Sequence, residues 1–168
     1  ALSSAASDVY KRQYEDSYIP KGDDYFTEDS VLEDTDFFAD VTVLSARLDS
    51  DSAHYTLRIN SLVSKTGEES KTNITIESST PYIMQENREY FIPLRKENGT
   101  YSMAFENAPQ IEISLDGDIV FQNGWKSLDD DSGILKDSQK SKNDYFYDRM
   151  RYSSKNDLQD LLAKWRTM

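Results

Sequence analysis

The single histidine is the first residue to consider for chemistry in this chain. His54 is the only histidine in 168 residues, and Asp49, Asp51 and Ser52 lie close to it in sequence. These are the residue types of a Ser-His-Asp triad, in which the histidine takes the proton of a serine nucleophile. A triad also needs a pocket and an oxyanion hole, whereas these residues fall in a predicted turn. The pattern therefore favours an exposed turn over a catalytic histidine.

Acidic residues are abundant enough to suggest carboxylate catalysis or cation binding. The chain contains 31 Asp and Glu residues, so no glycosidase pair stands out among them. Asp116-Gly117-Asp118 is typical of a tight turn. The run Asp129-Asp-Asp-Ser-Gly133 lacks the alternating acids of an EF-hand loop and is typical of a solvated linker. We expect no catalytic residue and no metal site at either place.

The remaining composition excludes several other functional classes. The chain has no cysteine, which excludes thiolate nucleophiles, zinc ribbons and iron–sulfur clusters. It contains no Gly-rich phosphate loop, so we expect no cofactor. A net charge of -12 disfavours nucleic-acid binding, because phosphate backbones require a basic surface. No apolar stretch is long enough for a transmembrane segment. These absences favour a non-enzymatic protein.

Two tryptophans are the candidate partner-binding residues. Trp125 directly follows an Asn-Gly pair after the last predicted strand, and Trp165 lies in an amphipathic tail. An aromatic side chain in such a place either packs into the core or is an exposed anchor for a sugar or a protein. Core packing is the more common role, and the sequence leaves the exposed alternative open for both residues.

The elements that must position these residues are mainly β strands. Apolar residues alternate with period two from residue 37 to about residue 128. Asn98-Gly99 and Asp116-Gly117 are typical turns of two hairpins. The predicted strands are Asp40–Leu48, residues 55–63 with a bulge after Asn60, Asn73–Glu77, Tyr90–Leu94 paired with Tyr101–Phe105, and Ile111–Leu115 paired with Asp118–Phe121.

The strand pattern predicts one mainly β domain flanked by less regular segments. Five or six short antiparallel strands favour a small OB-like barrel over residues 37–128, with a β-sandwich as the alternative. Residues 1–36 are predicted to be an acidic N-terminal arm, and residues 129–143 a linker. Residues 144–168 are predicted to be a C-terminal helical segment, since Leu158, Leu161, Leu162 and Trp165 recur at helical spacing after a candidate N-cap at Ser154 or Asn156.

Two segments resemble a known family. The runs TDFFADVTVLSARLDSDSAHYTLRINSLVSKTGEES and NREYFIPLRKENGTYSM are similar to netrin-like OB domains, those of tissue inhibitors of metalloproteinases and their bacterial surface relatives, over about residues 36–105. The resemblance implies an OB fold and an extracellular interaction role. Protease inhibition in that family depends on an N-terminal cysteine, which this chain lacks. No functional residue is therefore carried over.

These observations lead to one expected function and two alternatives. We expect a non-enzymatic extracellular or cell-envelope domain that binds a protein or glycan partner, with any export signal or anchor already removed. The acidic, cysteine-free composition is typical of such surface modules. The first alternative is a carboxylate-dependent enzyme acting on a glycan. The second is an intracellular assembly module that docks through its C-terminal helix.

Overall fold

The computed structural model describes residues 28–49, 52–78, 83–104, 110–122 and 152–168. In this part of the chain no helix is long and apolar enough to cross a bilayer. In chain order the described elements are α1 (Glu28–Asp34), β1 (Phe37–Leu48), β2 (Ala53–Val63), β3 (Asn73–Ser78), β4 (Glu89–Glu97), β5 (Thr100–Met103), β6 (Ile111–Ile113), β7 (Ile119–Gln122) and α2 (Lys155–Arg166).

Strands β1 to β5 form a nearly closed antiparallel barrel. The strand β1 pairs with β2 along one edge and with β4 along the other. The strand β3 continues the sheet beyond β2, and β5 continues it beyond β4, so that β3 and β5 approach each other and nearly close the barrel. The predicted small OB-like barrel with a C-terminal helix is confirmed, and the sandwich alternative is not adopted.

A β-bulge bends the pair formed by β1 and β2. Asp40 lies opposite Ser61, whereas the next residue, Val41, lies opposite Ile59. Asn60 therefore has no counterpart on β1, at the position where the sequence predicts a bulge. A bulge increases the local twist and bends the strand that carries it. It thereby helps a flat strand pair to curve into a barrel.

The two predicted hairpins are present, but the second is shorter than predicted. Asn98 and Gly99 have φ angles of 51° and 80°, the positive values that a two-residue hairpin turn requires. The strand β6 ends at Ile113, so the prediction that Leu115 continues its apolar face is wrong. The N–H of Gly117 donates to the carbonyl of Ser114, which closes a turn that leaves Leu115 93% exposed.

Apolar side chains form two separate cores. The first fills the barrel interior and consists of Phe37, Ala39, Val41, Val43, Ala53, Tyr55, Leu57, Leu62, Ile74, Ile76, Met84, Tyr90, Ile92, Leu94, Tyr101 and Met103. The second lies between the outside of the barrel and the two helices, and consists of Val31, Leu32, Phe38, Val63, Phe91, Ile111, Ile113, Ile119, Tyr152, Leu158, Leu161, Leu162 and Trp165. Part of the barrel is therefore buried on both faces.

Three aromatic rings connect the barrel to α2. Phe38 and Phe91, on neighbouring strands, stack with ring centroids 5.1 Å apart. The indole of Trp165 meets the ring of Phe38 edge-on at 4.9 Å. Such edge-to-face contacts contribute about 1 kcal/mol beyond the area that they bury. The apolar stripe predicted in the tail therefore packs on the barrel of its own chain.

Helix α2 begins where the sequence predicts. Ser154 precedes the helix in an extended conformation. The carboxylate of Asp157 accepts hydrogen bonds from the backbone N–H groups of Ser153 and Ser154, at 2.6 and 3.2 Å. Helix starts leave N–H groups without intrahelical partners, and this carboxylate turns back to bind the N–H groups just before the helix. The cap fixes the first turn of α2 beside the barrel.

Helix α1 lies within the segment that the sequence assigns to an N-terminal arm. Val31 and Leu32 are completely buried in the second core. The amine of Lys164 on α2 contacts the carboxylates of Glu28 and Asp29, at 2.8 and 2.9 Å. The hydroxyl of Tyr152 donates to Glu28 at 2.7 Å. The two helices thus hold each other as well as the barrel.

We predict that Trp165→Ala lowers the free energy of unfolding by about 3–5 kcal/mol, because it removes a fully buried indole that no neighbour can replace. Urea denaturation followed by far-UV circular dichroism measures the effect. Arg166→Ala, at the next and exposed position of the same helix, is the matched control and should change stability by less than about 0.5 kcal/mol. Equal losses in the two variants would contradict the assignment of Trp165 to the core.

Candidate functional site

The outward side chains of β1, β2 and β3 form a polar surface, which we call the open face. Strand pairing sets these side chains in three rows across the sheet: Thr42, Arg58 and Asn73; Ser45, Thr56 and Thr75; Arg47, His54 and Glu77. All nine residues are partly or fully exposed. Hydroxyl, amide, guanidinium, imidazole and carboxylate groups thus lie in register on one side of the barrel.

Arg58 occupies the central strand of the open face. Its guanidinium donates to the hydroxyl of Thr42 at 3.3 Å. It forms no ion pair with a carboxylate of the described residues, although acids outnumber bases by 31 to 19 in the chain. The guanidinium has five N–H donors in a planar fork, which suit a carboxylate or several hydroxyls. Arg58 is therefore the residue of this face best equipped to bind a ligand.

His54 lies at the edge of the open face, at the start of β2. Its Nε2 is 2.6 Å from a carboxylate oxygen of Asp49 and 3.4 Å from the hydroxyl of Ser52. In a catalytic triad the serine and the acid contact opposite nitrogens of the ring. Here both contacts converge on one nitrogen, so the arrangement stabilises a turn and cannot relay a proton from serine to acid. Asp51 lies outside the described residues.

The structure describes one of the two candidate tryptophans. Trp125 lies outside the described residues, and its role as a partner-binding residue stays a prediction. Trp165 lies on the face of α2 that packs on the barrel and is 0% exposed. A partner would reach its indole only by displacing that helix.

The predicted acidic turn and linker contribute no site within the described residues. Gly117 has a φ of 85° between Asp116 and Asp118, as a tight turn requires. The run from Asp129 to Gly133 lies outside the described residues. In the ranges that the structure covers, no group of three or more His, Asp or Glu side chains is arranged to hold a metal ion.

Sequence reasoning missed a charged cluster beneath the start of α2. The amine of Lys155 lies 2.7 Å from Glu89 and 3.6 Å from Asp40. Burial and a hydrogen bond with Glu89 raise the pKa of Asp40 to about 6, against the opposing effects of Asn60 and Lys155. The same carboxylates raise the pKa of Lys155. Lys155 therefore keeps its proton, and its positive charge partly neutralises the two carboxylates beside it.

A second buried carboxyl group, Glu112 on β6, was also missed. The residue is 1% exposed, and Oε1 is 3.3 Å from the guanidinium of Arg88. Among the described residues, its other oxygen, Oε2, has no hydrogen-bond partner. Burial raises the pKa of Glu112 to about 7, although Arg88 acts in the opposite direction. Glu112 lies between two apolar residues of a short strand, and alternation places such a residue on the opposite, polar face, so the sequence carried no signal of its burial.

A crevice that the structure describes beside these charges is small. It lies between β1, β2, β4, β6 and α2, includes Asp40 and Lys155 in its lining, and has a volume of about 50 Å³. Pockets for small molecules typically have volumes of roughly 300–1,000 Å³. The crevice has space for one or two water molecules and none for a sugar ring. The geometry around Asp40 therefore gives no support to glycosidase chemistry.

Comparison with known proteins finds no relative: no protein-family model matches the chain, and no curated protein matches it.

We predict that Lys155→Met lowers the free energy of unfolding by about 1 kcal/mol at pH 7.5, because Asp40 and Glu89 then repel each other without a cation between them. The loss should be smaller at pH 5, where Asp40 carries a proton. Urea denaturation at the two pH values measures it. Lys65→Met, at an exposed loop position, is the control. A loss that is the same at both pH values would contradict the proposed role of Lys155.

Proposed function

We propose that this chain is a non-enzymatic domain of the cell exterior or envelope that binds a protein or glycan partner through the open face. The observation that carries the proposal is the contrast between the two sides of the barrel. The helices and the β6–β7 hairpin cover the outside of β4 and of the first part of β1. The outer surface of β3, of β2 as far as Arg58 and of β1 from Thr42 onward is exposed and carries nine polar side chains in register.

The architecture supports this choice of surface. Small OB barrels bind ligands on the outer face of strands 2 and 3 and on the adjoining loops, because that part of the barrel is not needed for packing. The same strands here carry the open face, and the β1–β2 turn lies at its edge. The fold indicates where on the barrel a ligand would bind, but it does not by itself identify the ligand.

The chemistry of the open face favours a polar partner. Its three threonines, one serine and one asparagine can each donate and accept hydrogen bonds, as recognition of sugar hydroxyls or of a polar protein surface requires. None of its nine side chains is a Phe, Tyr or Trp, the large aromatic platforms on which nucleic-acid bases commonly stack. The net charge of -12 also repels polyanions at long range.

The location outside the cell is supported by composition. The chain is acidic and has no cysteine, which is typical of surface modules of Gram-positive bacteria, and about residues 36–105 resemble netrin-like OB domains. The two alternatives are less well supported. The apolar stripe of α2, needed for docking, is already buried against the barrel, and the crevice beside Asp40 does not fit a glycan.

The binding proposal predicts that the triple variant Thr56→Ala/Arg58→Ala/Thr75→Ala binds to intact source cells at least about tenfold more weakly than the wild type, because it removes two of the three hydroxyls of the middle row and the neighbouring guanidinium. Binding of the fluorescently labelled chain is measured by flow cytometry over a range of concentrations. The control Lys65→Ala/Thr66→Ala/Ser70→Ala removes one cation and two hydroxyls from an exposed loop. Equal binding by the two variants, or no binding by the wild type, would refute the proposal.

The proposed location has its own test. Protease treatment of intact source cells, followed by mass spectrometry, should release peptides from residues 36–128. Recovery of those peptides only after lysis would contradict an extracellular or envelope location. It would instead favour the alternative of an intracellular assembly module.

A further inference from the structure

Arg58 differs from the other arginines of the sheet in what surrounds its guanidinium. The three others in or beside the described strands each form an ion pair with a carboxylate of the chain, and the pairs are Arg47 with Asp49, Arg88 with Glu112 and Arg95 with Asp34. Among the described residues, the guanidinium of Arg58 contacts only the hydroxyl of Thr42, at 3.3 Å. An exposed cation on this strongly acidic chain thus has no anion of the described residues beside it.

The side chains next to Arg58 are neutral hydrogen-bonding groups. Thr42 and Asn73 lie opposite it on β1 and β3, and Thr56 and Asn60 flank it along β2. The hydroxyl of Thr42 accepts hydrogen bonds from the guanidinium and from Nδ2 of Asn60, at 3.3 and 3.1 Å, so its own hydrogen remains a donor. The other N–H groups of the guanidinium are donors as well. The region around Arg58 is therefore rich in donors and positively charged.

A donor-rich, positively charged region favours a ligand group that only accepts hydrogen bonds. An ionised carboxylate is such a group, and its two oxygens match the planar fork of a guanidinium. A charge-assisted pair of this kind is about twice as strong as a hydrogen bond between neutral groups. Glu77, the one acid of the open face, lies two rows away from Arg58. The carboxylate of a ligand would therefore meet no competing acid of this face at Arg58.

The rows around Arg58 suit a sugar better than a protein surface. The open face is about 10 Å wide across three strands and about 14 Å long over three rows, an area that a short oligosaccharide covers. In its middle row Ser45, Thr56 and Thr75 present hydroxyls that can both donate to and accept from sugar hydroxyls. None of the nine side chains is a Phe, Tyr, Trp, Met, Leu, Ile or Val, whereas the centre of a protein–protein interface usually contains such anchors.

The charge of the whole chain restricts the ligand further. A net charge of -12 repels a densely charged polymer at long range. Exposed charges more than about 8 Å apart are largely screened at physiological ionic strength, so a single carboxylate at Arg58 responds mainly to the groups around it. An oligosaccharide with widely spaced acidic units meets both conditions.

We propose that the partner of the open face is a carboxylated sugar of the cell surface, with its carboxylate on the guanidinium of Arg58 and its hydroxyls on the neighbouring threonines. The proposal rests on the binding function stated above and specifies the ligand of the same face. Arg58 provides the selectivity for the acidic sugar over its neutral counterpart. The hydroxyl rows hold the sugar ring in register with the strands.

Binding of the labelled full chain to three preparations of source cells tests the proposal. The preparations are intact cells, protease-treated cells, and protease-treated cells whose carboxyl groups have been reduced to alcohols by carbodiimide activation and borohydride. The reduction converts a uronic acid into the neutral sugar and leaves phosphate groups unchanged. We expect equal binding to the first two preparations and at least about tenfold weaker binding to the third.

Two substitutions at Arg58 test the residue itself. Arg58→Gln removes the charge and the fork, whereas Arg58→Lys keeps the charge alone. On protease-treated cells Arg58→Gln should bind at least about tenfold more weakly than the wild type, and Arg58→Lys should lie between them. Carboxyl reduction should not weaken Arg58→Gln further, because the partner of the carboxylate is already absent. Arg166→Gln, at an exposed position of α2, is the control and should behave like the wild type.

Four other results would overturn the inference. Loss of wild-type binding after protease treatment would indicate a protein partner. Equal binding of the wild type to reduced and unreduced cells would show that no carboxylate is recognised, and unchanged binding by Arg58→Gln would show that another residue recognises it. In these three cases binding of the wild type to intact cells would still support the proposed function. Absence of binding to intact cells would instead refute the proposed function and the inference together.

Discussion

Phe38 and Phe91 point away from the interior of the barrel, and two rings of this size cannot remain in water without a large loss of stability. Their burial is the constraint on which the rest of the structure depends. It requires a second layer of apolar side chains, and α1, α2 and the β6–β7 hairpin supply it. A five-stranded barrel alone would bury the inward-facing side chains of β1, but it would leave the outward-facing rings of Phe38 and Phe91 exposed.

Much of the local structure could be predicted from the sequence because it depends on nearby residues. The bulge at Asn60, the Asn98-Gly99 turn and the start of α2 after Ser154 each follow from local conformational preferences. The end of β6 could not be predicted, because the apolar period continues to Leu115 while the backbone already turns at Ser114. Periodicity reports which residues share a face, and it does not report where a strand loses its partner.

The burial of the charged groups was beyond sequence reasoning for a different reason. Asp40 stands between inward-facing residues of β1, so alternation places it on the outside, where a carboxylate is normally solvated. Its burial depends on Lys155, which is 115 positions away in the chain and comes to lie over it through the packing of α2. The open face shows the converse. Its polar residues are ordinary in sequence, and only the pairing of three strands sets them in rows.

The contact between α1 and α2 also determines how the domain would carry a mechanical load. Glu28 and Lys164 lie 2.8 Å apart, so the first and last described elements are side by side. A force that pulls residues 28 and 168 apart acts first on this helix pair, and the barrel lies outside the load path until the helices separate. The domain would then lengthen by releasing its covering helices while β2 and β3 keep their pairing, so the rows of the open face would stay in register under tension.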